Sequence, residues 1–410
     1  MKLKSNKLKI VNDPIYGFIT IPYEIVFDII EHPYYQRLRR IKQLGLTSLV
    51  YPGALHTRFH HAMGAMYLMG EAIEVLRAKG IEINDAEAEG VTLAILLHDI
   101  GHGPFSHALE TSIVNGISHE DISLLFMDKL NKHFNNKLLL AISIFKNEYK
   151  KKFLHQLVSS QLDMDRLDYL MRDSFFTGVS EGVISAERII KMLTVVNDSL
   201  AIEAKGIYSI EKFIVARRLM YWQVYLHKTV LAAEILLVNI LKRAKELILK
   251  GEKLFATPSL LLFLENKFTK NDFEINENIL QEFSQLDDYD IYASVKVWMK
   301  HSDKVLSEMC SMLINRQLLK IELQNSPFSA EQIQSTREQI KKEKQLNDTE
   351  INYYVFTDKV TNSAYKSNDE KINILFKNGD LNDLATASDQ LNISALSKTV
   401  EKYFLCYPKN

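Results

Sequence analysis

The sequence predicts a mainly α-helical protein with small β-hairpins and a small C-terminal α+β region. Gly and Pro are scarce, at 15 and 8 of 410 residues, which disfavours a turn-rich all-β fold. Apolar residues recur at intervals of three and four between residues 23 and 192, and again between 210 and 314. From residue 349 onward, short β-branched stretches replace this helical period.

The individual elements follow from local signals. Residues 9–22, KIVNDPIYGFITIP, place β-branched residues around a Pro and a Gly and predict a strand pair. Gly80 and Gly101 stand where helix C-caps are expected. Residues 192–204, MLTVVNDSLAIEA, predict a β-hairpin that turns at Asn-Asp. A long helix is predicted from 210 to 248, apolar on more than one side.

Three regions are predicted along the chain. Residues 1–325 form a helical core, with the site of chemistry within 56–173 and extended helices at 207–315. Residues 326–348 are polar and predict a solvated connector helix. Residues 349–410 form a small α+β region, in which INYYVFTDKV and KINILFKNG read as strands and ISALSKTVEKYF as a helix.

Composition narrows the classes of function. The 50 Lys and Arg nearly balance the 51 Asp and Glu, so no global field draws the chain to nucleic acid or an anionic membrane. Basic stretches such as YKKKF predict solvated faces rather than nucleic-acid binding. Cys310 and Cys406 provide no disulfide framework and no thiolate zinc site. Without an apolar run of about 18 residues or a signal-like N-terminus, we expect cytoplasmic localisation and no membrane partner.

The histidines are concentrated in one window. Seven of the twelve fall between residues 56 and 119. His98 and Asp99 end the apolar run VTLAILL, so a helix that enters the interior carries an imidazole and a carboxylate with it. A buried, unpaired carboxylate costs several kcal/mol. A bound cation resolves that cost.

Two further motifs complete a metal-ligand set. His61 lies in HTRFHH at the start of an apolar helix, and Asp165 lies in LDMDRLDYLMRD. Taken singly, each residue fits an ordinary core or surface role, but together with His98 and Asp99 they predict a site for one divalent metal. Two imidazoles and two carboxylates suit Mn, Fe, Ni, Zn or Mg and leave positions for water and substrate.

Cationic residues accompany these ligands. Arg58 precedes His61 by one helical turn, and Arg166 follows Asp165 directly. Tyr169 and Asp173 continue the stripe of the helix that begins at Asp165. Further cations lie downstream at Arg217, Arg218 and Lys228. A metal among guanidinium groups fits phosphoryl transfer. The metalloprotease motif HExxH and the P-loop motif GxxxxGK[ST] are both absent.

Between residues 8 and 230 the chain resembles the HD-domain deoxynucleoside triphosphate triphosphohydrolases. The matching stretches, in order, are HPYYQRLRRIKQLG, YPGALHTRFHHAMG, ILLHDIGHGPFSHALE, SHED, LDMDRLDYLMRDSFFTGV and RRLMYWQVYLHKT. The resemblance implies an HD-type helical core that hydrolyses deoxynucleoside triphosphates (dNTPs) to deoxynucleoside and inorganic triphosphate. It implies attack on the α-phosphorus, with a protonated His107 or His119, oriented by Glu110 or Glu120, donating to the departing 5′-oxygen.

The resemblance also implies roles for individual residues. It supports the metal ligands His61, His98, Asp99 and Asp165 and places His102, His107, Glu110 and His119 in the catalytic pocket. Its substrate-binding positions are Gln43, Leu44, Arg58, Arg166, Tyr169, Asp173, Arg217 and Tyr225. Three positions depart from the family's usual residue: His60 replaces Glu, Glu110 replaces Asp and Arg166 often replaces Lys. Only His60 suggests an altered pocket.

Several alternatives and partners remain open from the sequence. The chain fits another HD phosphohydrolase, either a nucleotide phosphatase or a phosphodiesterase, and it also fits a catalytically silent nucleotide sensor. The apolar helix at 210–248 predicts a homo-oligomer, dimer or tetramer, because a second chain is one way to bury it. Glu31, Gln36 and Arg39 match positions where a relative binds an activating nucleotide, which suggests the same possibility here.

Overall fold

The fold is described from a computed structural model, which covers residues 9–105, 108–109, 112–114, 116–363, 365, 371–388 and 399–409. The helices are α1 Glu24–Ile30, α2 Pro33–Gln36, α3 Arg58–Ala78, α4 Asp85–Leu97, α5 His119–His133, α6 Leu139–Phe145, α7 Lys152–Val158, α8 Met164–Thr177, α9 Ala186–Met192, α10 Ile207–Met220, α11 Lys228–Leu249, α12 Pro258–Glu265, α13 Lys270–Ile275, α14 Glu277–Phe283, α15 Asp288–Trp298, α16 Lys304–Ile314, α17 Ala330–Lys344 and α18 Leu384–Ala387. The strands are β1 Ile10–Asp13, β2 Gly17–Thr20, β3 Leu193–Val196, β4 Ser199–Glu203, β5 Lys320–Gln324, β6 Phe356–Asn362, β7 Asn373–Leu375, β8 Leu381–Asp383 and β9 Val400–Tyr407. The fold is therefore mainly α-helical, as predicted.

Three helices form the frame around the predicted ligands. Helix α3 packs against both α4 and α8. Helix α4 starts with a capping box in which Asn84 and Glu87 each accept from the other's backbone N–H. Its remaining length is almost wholly apolar and buried, so the helix drives its C-terminal end into the interior.

The departure at His60 has a structural explanation. His60 Nδ1 accepts from the backbone N–H of Thr57 at 3.2 Å and lies 2.9 Å from its hydroxyl, which closes the first turn of α3. The side chain therefore caps its own helix. It lines neither of the two cavities described below. The altered pocket that the sequence suggested at this position stays a prediction.

The long helix predicted from 210 to 248 is broken. Helix α10 runs into a single wider turn with i+5 hydrogen bonding at Tyr221–Tyr225, and α11 then leaves in a direction bent by 55°. Within the described residues no single helix is long and apolar enough to cross a membrane, although the bent pair Ala204–Tyr225 and Lys228–Leu249 passes by length and composition. Leu236, Leu237 and Ile240 of α11 are buried within this one chain. The apolar helix therefore does not need a second chain to cover it.

The C-terminal region is joined to the helical core through two sheets. One has the order β3-β4-β7-β8, with β4 and β7 parallel, and the other has the antiparallel order β5-β9-β6. The hairpins at β1-β2 and β3-β4 and the connector helix α17 agree with the sequence prediction. The helix predicted over 393–404 is wrong for residues 400–404, which belong to β9; residues 391–398 lie outside the described residues. The boundary at 325 remains a prediction.

Candidate metal centre and adjoining cavities

Four side chains converge where the three framing helices meet. His61 comes from α3, Asp165 from the first turn of α8, and His98 and Asp99 directly follow α4. His61 Nε2 lies 3.0 Å from Asp165 Oδ1 and 3.4 Å from His98 Nε2. His98 Nε2 lies 3.4 Å from oxygens of both Asp99 and Asp165. Ligands about 2.1 Å from one ion lie about 3.0–3.4 Å apart, so this spacing fits a single metal.

The two imidazoles are oriented by their outer nitrogens. His61 Nδ1–H donates to Asp168 Oδ2 at 2.8 Å, and His98 Nδ1–H donates to the carbonyl of Ile95 at 2.6 Å. Each ring therefore turns its Nε2 towards the shared centre. This arrangement is typical of histidines that ligate metals.

Behind His61 lies a fully buried ion-pair chain. Arg172 donates through Nε and Nη2 to both oxygens of Asp168, each at 2.9 Å, and through Nη1 to Asp13 in β1 at 2.8 Å. Gly64 makes room for it, because a Cβ there would meet Asp168 Oδ1 at 2.0 Å. Sequence reasoning assigned no role to Asp168, Arg172 or Asp13. The DxxDxxxR spacing on α8 is the local signal that could have found the first two.

The electrostatics of the cluster favour a bound cation. Burial lowers the pKa of His61, but hydrogen bonds to Asp165 and Asp168 outweigh it and raise that pKa to about 10. Burial raises the pKa of Asp165, and the bonds to His61 and His98 bring it well below its usual range. The carboxylates thus stay ionised and hold positive charge on their neighbours. The donor set, spacing and charge all fit the divalent metal predicted from the sequence, and they leave its identity open.

Three arginines were predicted to bind phosphate, and two of them pair with carboxylates at or next to the ligands, whereas Arg217 lines neither cavity described below. Arg58 Nη1 donates to Asp99 Oδ2 at 2.6 Å, and Arg166 donates to Asp163. Arg217, in the last turn of α10, is buried. Among the described residues, each of the three guanidinium groups has at least one buried nitrogen without a hydrogen-bond partner. Donors left unsatisfied in the interior suit an anionic ligand.

Two histidines of the predicted catalytic pocket stack beside the cluster. The rings of His102 and His119 lie 3.9 Å apart, and His102 Nε2 lies 3.2 Å from Asp99 Oδ1. Burial, followed by the charge of Arg58, lowers the pKa of His102 to about 3. The neutral form of His102 is therefore favoured near pH 7. The other two predicted catalytic residues, His107 and Glu110, lie outside the described residues.

Two cavities adjoin the cluster, and we call them cavity A and cavity B. Cavity A, of about 270 Å³, is lined by Lys42, Gln43, Leu44, Gly45, Leu46, Thr47, Arg58, Phe105, Ala108, Tyr221, Tyr225, Leu226, Leu231, Glu234 and Leu237. Cavity B, of about 360 Å³, is lined by His98, Asp99, His119, Glu120, Asp121, Leu124, Phe145, Lys146, His155, Val158, Ser159, Asp165 and Arg166. The pair Arg58–Asp99 joins them, because Arg58 lines cavity A and Asp99 lines cavity B.

The remaining predicted substrate residues lie near cavity A. Tyr225 donates its hydroxyl to Asp173 Oδ2 at 2.7 Å, and His56 Nε2 lies 2.8 Å from the other oxygen. The Tyr169 and Tyr225 rings are 6.1 Å apart. The wide turn at Tyr221–Tyr225 presents both of its terminal tyrosines to the cavity. Neither the role of His56 nor the wide turn was predicted from the sequence, because neither has a local sequence pattern of its own.

Comparison with known proteins agrees with this geometry. The HD domain family matches residues 58–173, and the HD associated region matches 184–260. A crystallised phosphohydrolase from Bacteroides thetaiotaomicron is 56% identical, with a TM-score of 0.95, over 98% of this chain and 100% of that one. The chain belongs to the HD-domain phosphohydrolase family.

Two curated relatives illustrate how far the similarity extends. The Bacillus subtilis protein YwfO is 32% identical over 99% of this chain and 94% of its own length. The Dictyostelium discoideum homologue of the deoxynucleoside triphosphate triphosphohydrolase SAMHD1 is 31% identical over 60% of this chain and 51% of its own length. This chain therefore spans about half the length of the second relative.

Proposed function

We propose that this HD-domain enzyme hydrolyses deoxynucleoside triphosphates to deoxynucleoside and inorganic triphosphate. The observation that carries the proposal is the position of the four ligands beside two cavities of different character. Cavity A has mostly apolar and aromatic walls, whereas cavity B has mostly charged and polar ones. The similarity to triphosphohydrolases of the SAMHD1 type supports the same activity.

The two cavities suit the two ends of one substrate. Tyr221, Tyr225 and Leu44 offer flat and apolar surface for a nucleoside. Arg166, Lys146 and His119 offer donors for a chain of phosphates. A nucleotide placed with its base in cavity A and its outer phosphates in cavity B has its α-phosphate beside the ligands. That placement favours cleavage between the nucleoside and the whole triphosphate.

Different residues would bind the phosphates, donate the proton and hold the metal. Arg58, Arg166 and Arg217 hold the phosphate oxygens and oppose the charge that develops on them. His119, at the first position of α5, stands beside the centre and is suited to protonate the departing 5′-oxygen. A divalent metal on the four ligands would supply a water whose pKa falls to about 7.

Discrimination against ribonucleotides would come from the walls around the sugar. Gln43 lines cavity A beside Leu44, and Tyr169 lies close to Tyr225. Close packing there leaves no room for a 2′-hydroxyl. We expect dGTP to be hydrolysed at least about tenfold faster than GTP, since an extra buried hydroxyl without a partner is costly. Equal kcat/KM for GTP and dGTP, measured side by side, would contradict this placement.

The nature of the product tests the activity itself. Protein loaded separately with Mn²⁺, Fe²⁺, Ni²⁺, Zn²⁺ or Mg²⁺ is incubated with each dNTP, and the products are separated by ion exchange. We expect inorganic triphosphate and deoxynucleoside in equal amounts. Orthophosphate or pyrophosphate would instead indicate a nucleotide phosphatase or a phosphodiesterase. Binding of dNTPs without any turnover would indicate a nucleotide sensor.

Assembly, nucleotide activation and a cytoplasmic location remain proposals. Gln36 Nε2 donates to the carbonyl of Ile30, Arg39 Nε donates to Gln36 Oε1 at 2.9 Å, and Arg39 lies over the Phe59 ring at 3.6 Å. These contacts hold part of the predicted activator position together. Light scattering with and without GTP and dNTPs tests the assembly and its response to nucleotide. A mass of 47.3 kDa under every condition would contradict the dimer or tetramer.

A further inference from the structure

One wall of cavity A carries a carboxylate that the reaction scheme does not use. Leu231, Glu234 and Leu237 follow one another at intervals of three on α11 and all line the cavity. Glu234 is thus the polar member of an otherwise apolar row. None of the four candidate metal ligands lines this cavity, so Glu234 belongs to a different end of the site.

Glu234 has no visible structural task. Among the described residues it makes no hydrogen bond and no ion pair, whereas Glu246 on the same helix contacts Arg243 at 3.3 Å. Lys42, a cation of the cavity wall, lies over the ring of Tyr292, 5.4 Å from its centroid, and the other, Arg58, donates to Asp99. Burial raises the pKa of Glu234 to about 7, and no neighbouring charge contributes. A carboxyl group kept in such surroundings without a partner is suited to a ligand.

We propose that Glu234 reads the nucleobase of the substrate and makes guanine the preferred base. The inference rests on the proposed function, because it takes cavity A to hold the nucleoside. A carboxylate offers two acceptor oxygens side by side and no donor. Guanine presents two adjacent donors, N1–H and the N2 amino group, on one edge. Adenine and cytosine pair a donor with an acceptor there, and thymine has one donor between two carbonyl groups.

The surroundings of Glu234 strengthen the discrimination. Leu226, Leu231 and Leu237 provide apolar wall and no competing hydrogen-bond partners. A base that cannot satisfy the carboxylate leaves it unpaired in a poorly hydrated cavity, and such mismatches are strongly penalised. Recognition of an unpaired base by its Watson–Crick edge is a common strategy among enzymes that bind nucleotides in pockets.

The test compares Glu234→Gln with Glu246→Gln, which makes the same change on the exposed side of the same helix. We measure kcat/KM for dGTP, dATP, dCTP, dTTP and dITP. The wild type and Glu246→Gln should prefer dGTP over dTTP by at least about tenfold, with dITP between them because it lacks the N2 amino group. The amide of Glu234→Gln pairs a donor with an acceptor, so it should move the preference towards dATP and dCTP. Unchanged ratios in Glu234→Gln would overturn the assignment.

A binding measurement separates this inference from the proposed activity. Calorimetry with deoxyguanosine and thymidine needs no turnover. The wild type should bind deoxyguanosine at least about tenfold more tightly than thymidine, and Glu234→Gln should lose that difference while its Tm is no lower than that of the wild type. If no dNTP releases triphosphate, the proposed function fails and this measurement alone decides the role of Glu234. If triphosphate is released but both nucleosides bind equally, only the role of Glu234 is wrong.

Discussion

Cavity A and cavity B differ in whether their charged side chains are paired with neighbouring groups. In cavity B the charged groups are held by neighbours, as Arg166 is by Asp163 and Asp121 is by Lys270 and Ser118. In cavity A, whose walls are mostly apolar, the carboxylate of Glu234 has no hydrogen bond or ion pair to any described residue. The difference separates two tasks. Changes on the metal side should slow the reaction for every nucleotide, whereas changes in cavity A should alter which nucleotide is used.

The largest expected effect is on the metal ligands themselves. His98→Ala combined with Asp99→Ala should abolish metal binding and lower hydrolysis of every dNTP by about a thousandfold or more, because two of four ligands are gone. Helix α4 ends before these residues, so the helical circular-dichroism signal should persist. His133→Ala with Asp128→Ala removes the same groups from exposed positions and is the control. Metal retained at the wild-type ratio would disprove the ligand assignment.

Arg166→Ala should produce the next largest effect. Loss of a guanidinium group from cavity B should reduce kcat/KM by about a hundredfold for all four dNTPs, while metal content stays unchanged. Arg166→Lys should recover part of the loss, since it keeps the charge. Arg188→Ala, which removes an exposed guanidinium that donates to the carbonyl of Lys205, should behave as the wild type. If the loss of kcat/KM differed strongly between the four bases, the assignment of separate roles to the two cavities would be contradicted.

The pH dependence of the stability of Glu234→Gln tests whether the carboxylate in cavity A is buried without a partner. Burial raises the pKa of Glu234 from 4.5 to about 7, so between these values the folded chain retains a proton that the unfolded chain has released. Stability therefore falls as the pH rises through this window, and the deficit persists above it. The charged groups that share the cavity, Lys42 and Arg58, are unchanged in the variant.

Because Gln carries no charge, Glu234→Gln should be more stable than the wild type at pH 8, by about 1–3 kcal/mol. The gain should vanish near pH 4. Chemical denaturation at both pH values measures it, with Glu246→Gln as the matched control. An equal difference at the two pH values would show that the carboxylate is not held in poorly hydrated surroundings.

The smallest effect is expected at the outer edge of cavity B. Lys146 pairs with Glu148 at 2.7 Å, with both side chains largely exposed. Such pairs contribute little and are screened by salt. Lys146→Ala should lower kcat/KM by no more than about threefold, and the difference should shrink in 0.5 M NaCl. A loss as large as that of Arg166→Ala would show that Lys146 contributes to phosphate binding as strongly as Arg166 does.

The ligands could be predicted because each is tied to a local feature of the sequence. His98 and Asp99 directly follow an apolar helix, and His61 lies in the first turn of another. Asp165 lies in an acidic run at the start of a third helix. What supports them could not be predicted in the same way. Asp13 lies 159 positions before Arg172, and only the tertiary fold brings the two together.

Two further differences between prediction and structure also come from tertiary contacts. Val400–Tyr407 has a helix-compatible pattern, yet it forms a strand because β5 and β6 pair with it on both sides. Gly101 is predicted at a helix C-cap, but helix α4 ends at Leu97 and His98 takes the cap position. The glycine instead allows close approach, since a Cβ there would meet the carbonyl oxygen of His119 at 2.1 Å. The helix ending at Ala78 does have the expected Gly80, with φ of +82°.

The chain of ion pairs from His61 to Asp13 has a practical consequence for anyone who handles this protein. Through Asp168 and Arg172, the orientation of one metal-binding imidazole depends on an N-terminal hairpin that contributes no ligand. A protease that trims this hairpin, or a fusion partner that displaces it, would leave Arg172 without its second acceptor. Metal content would then vary between preparations whose HD motif is intact.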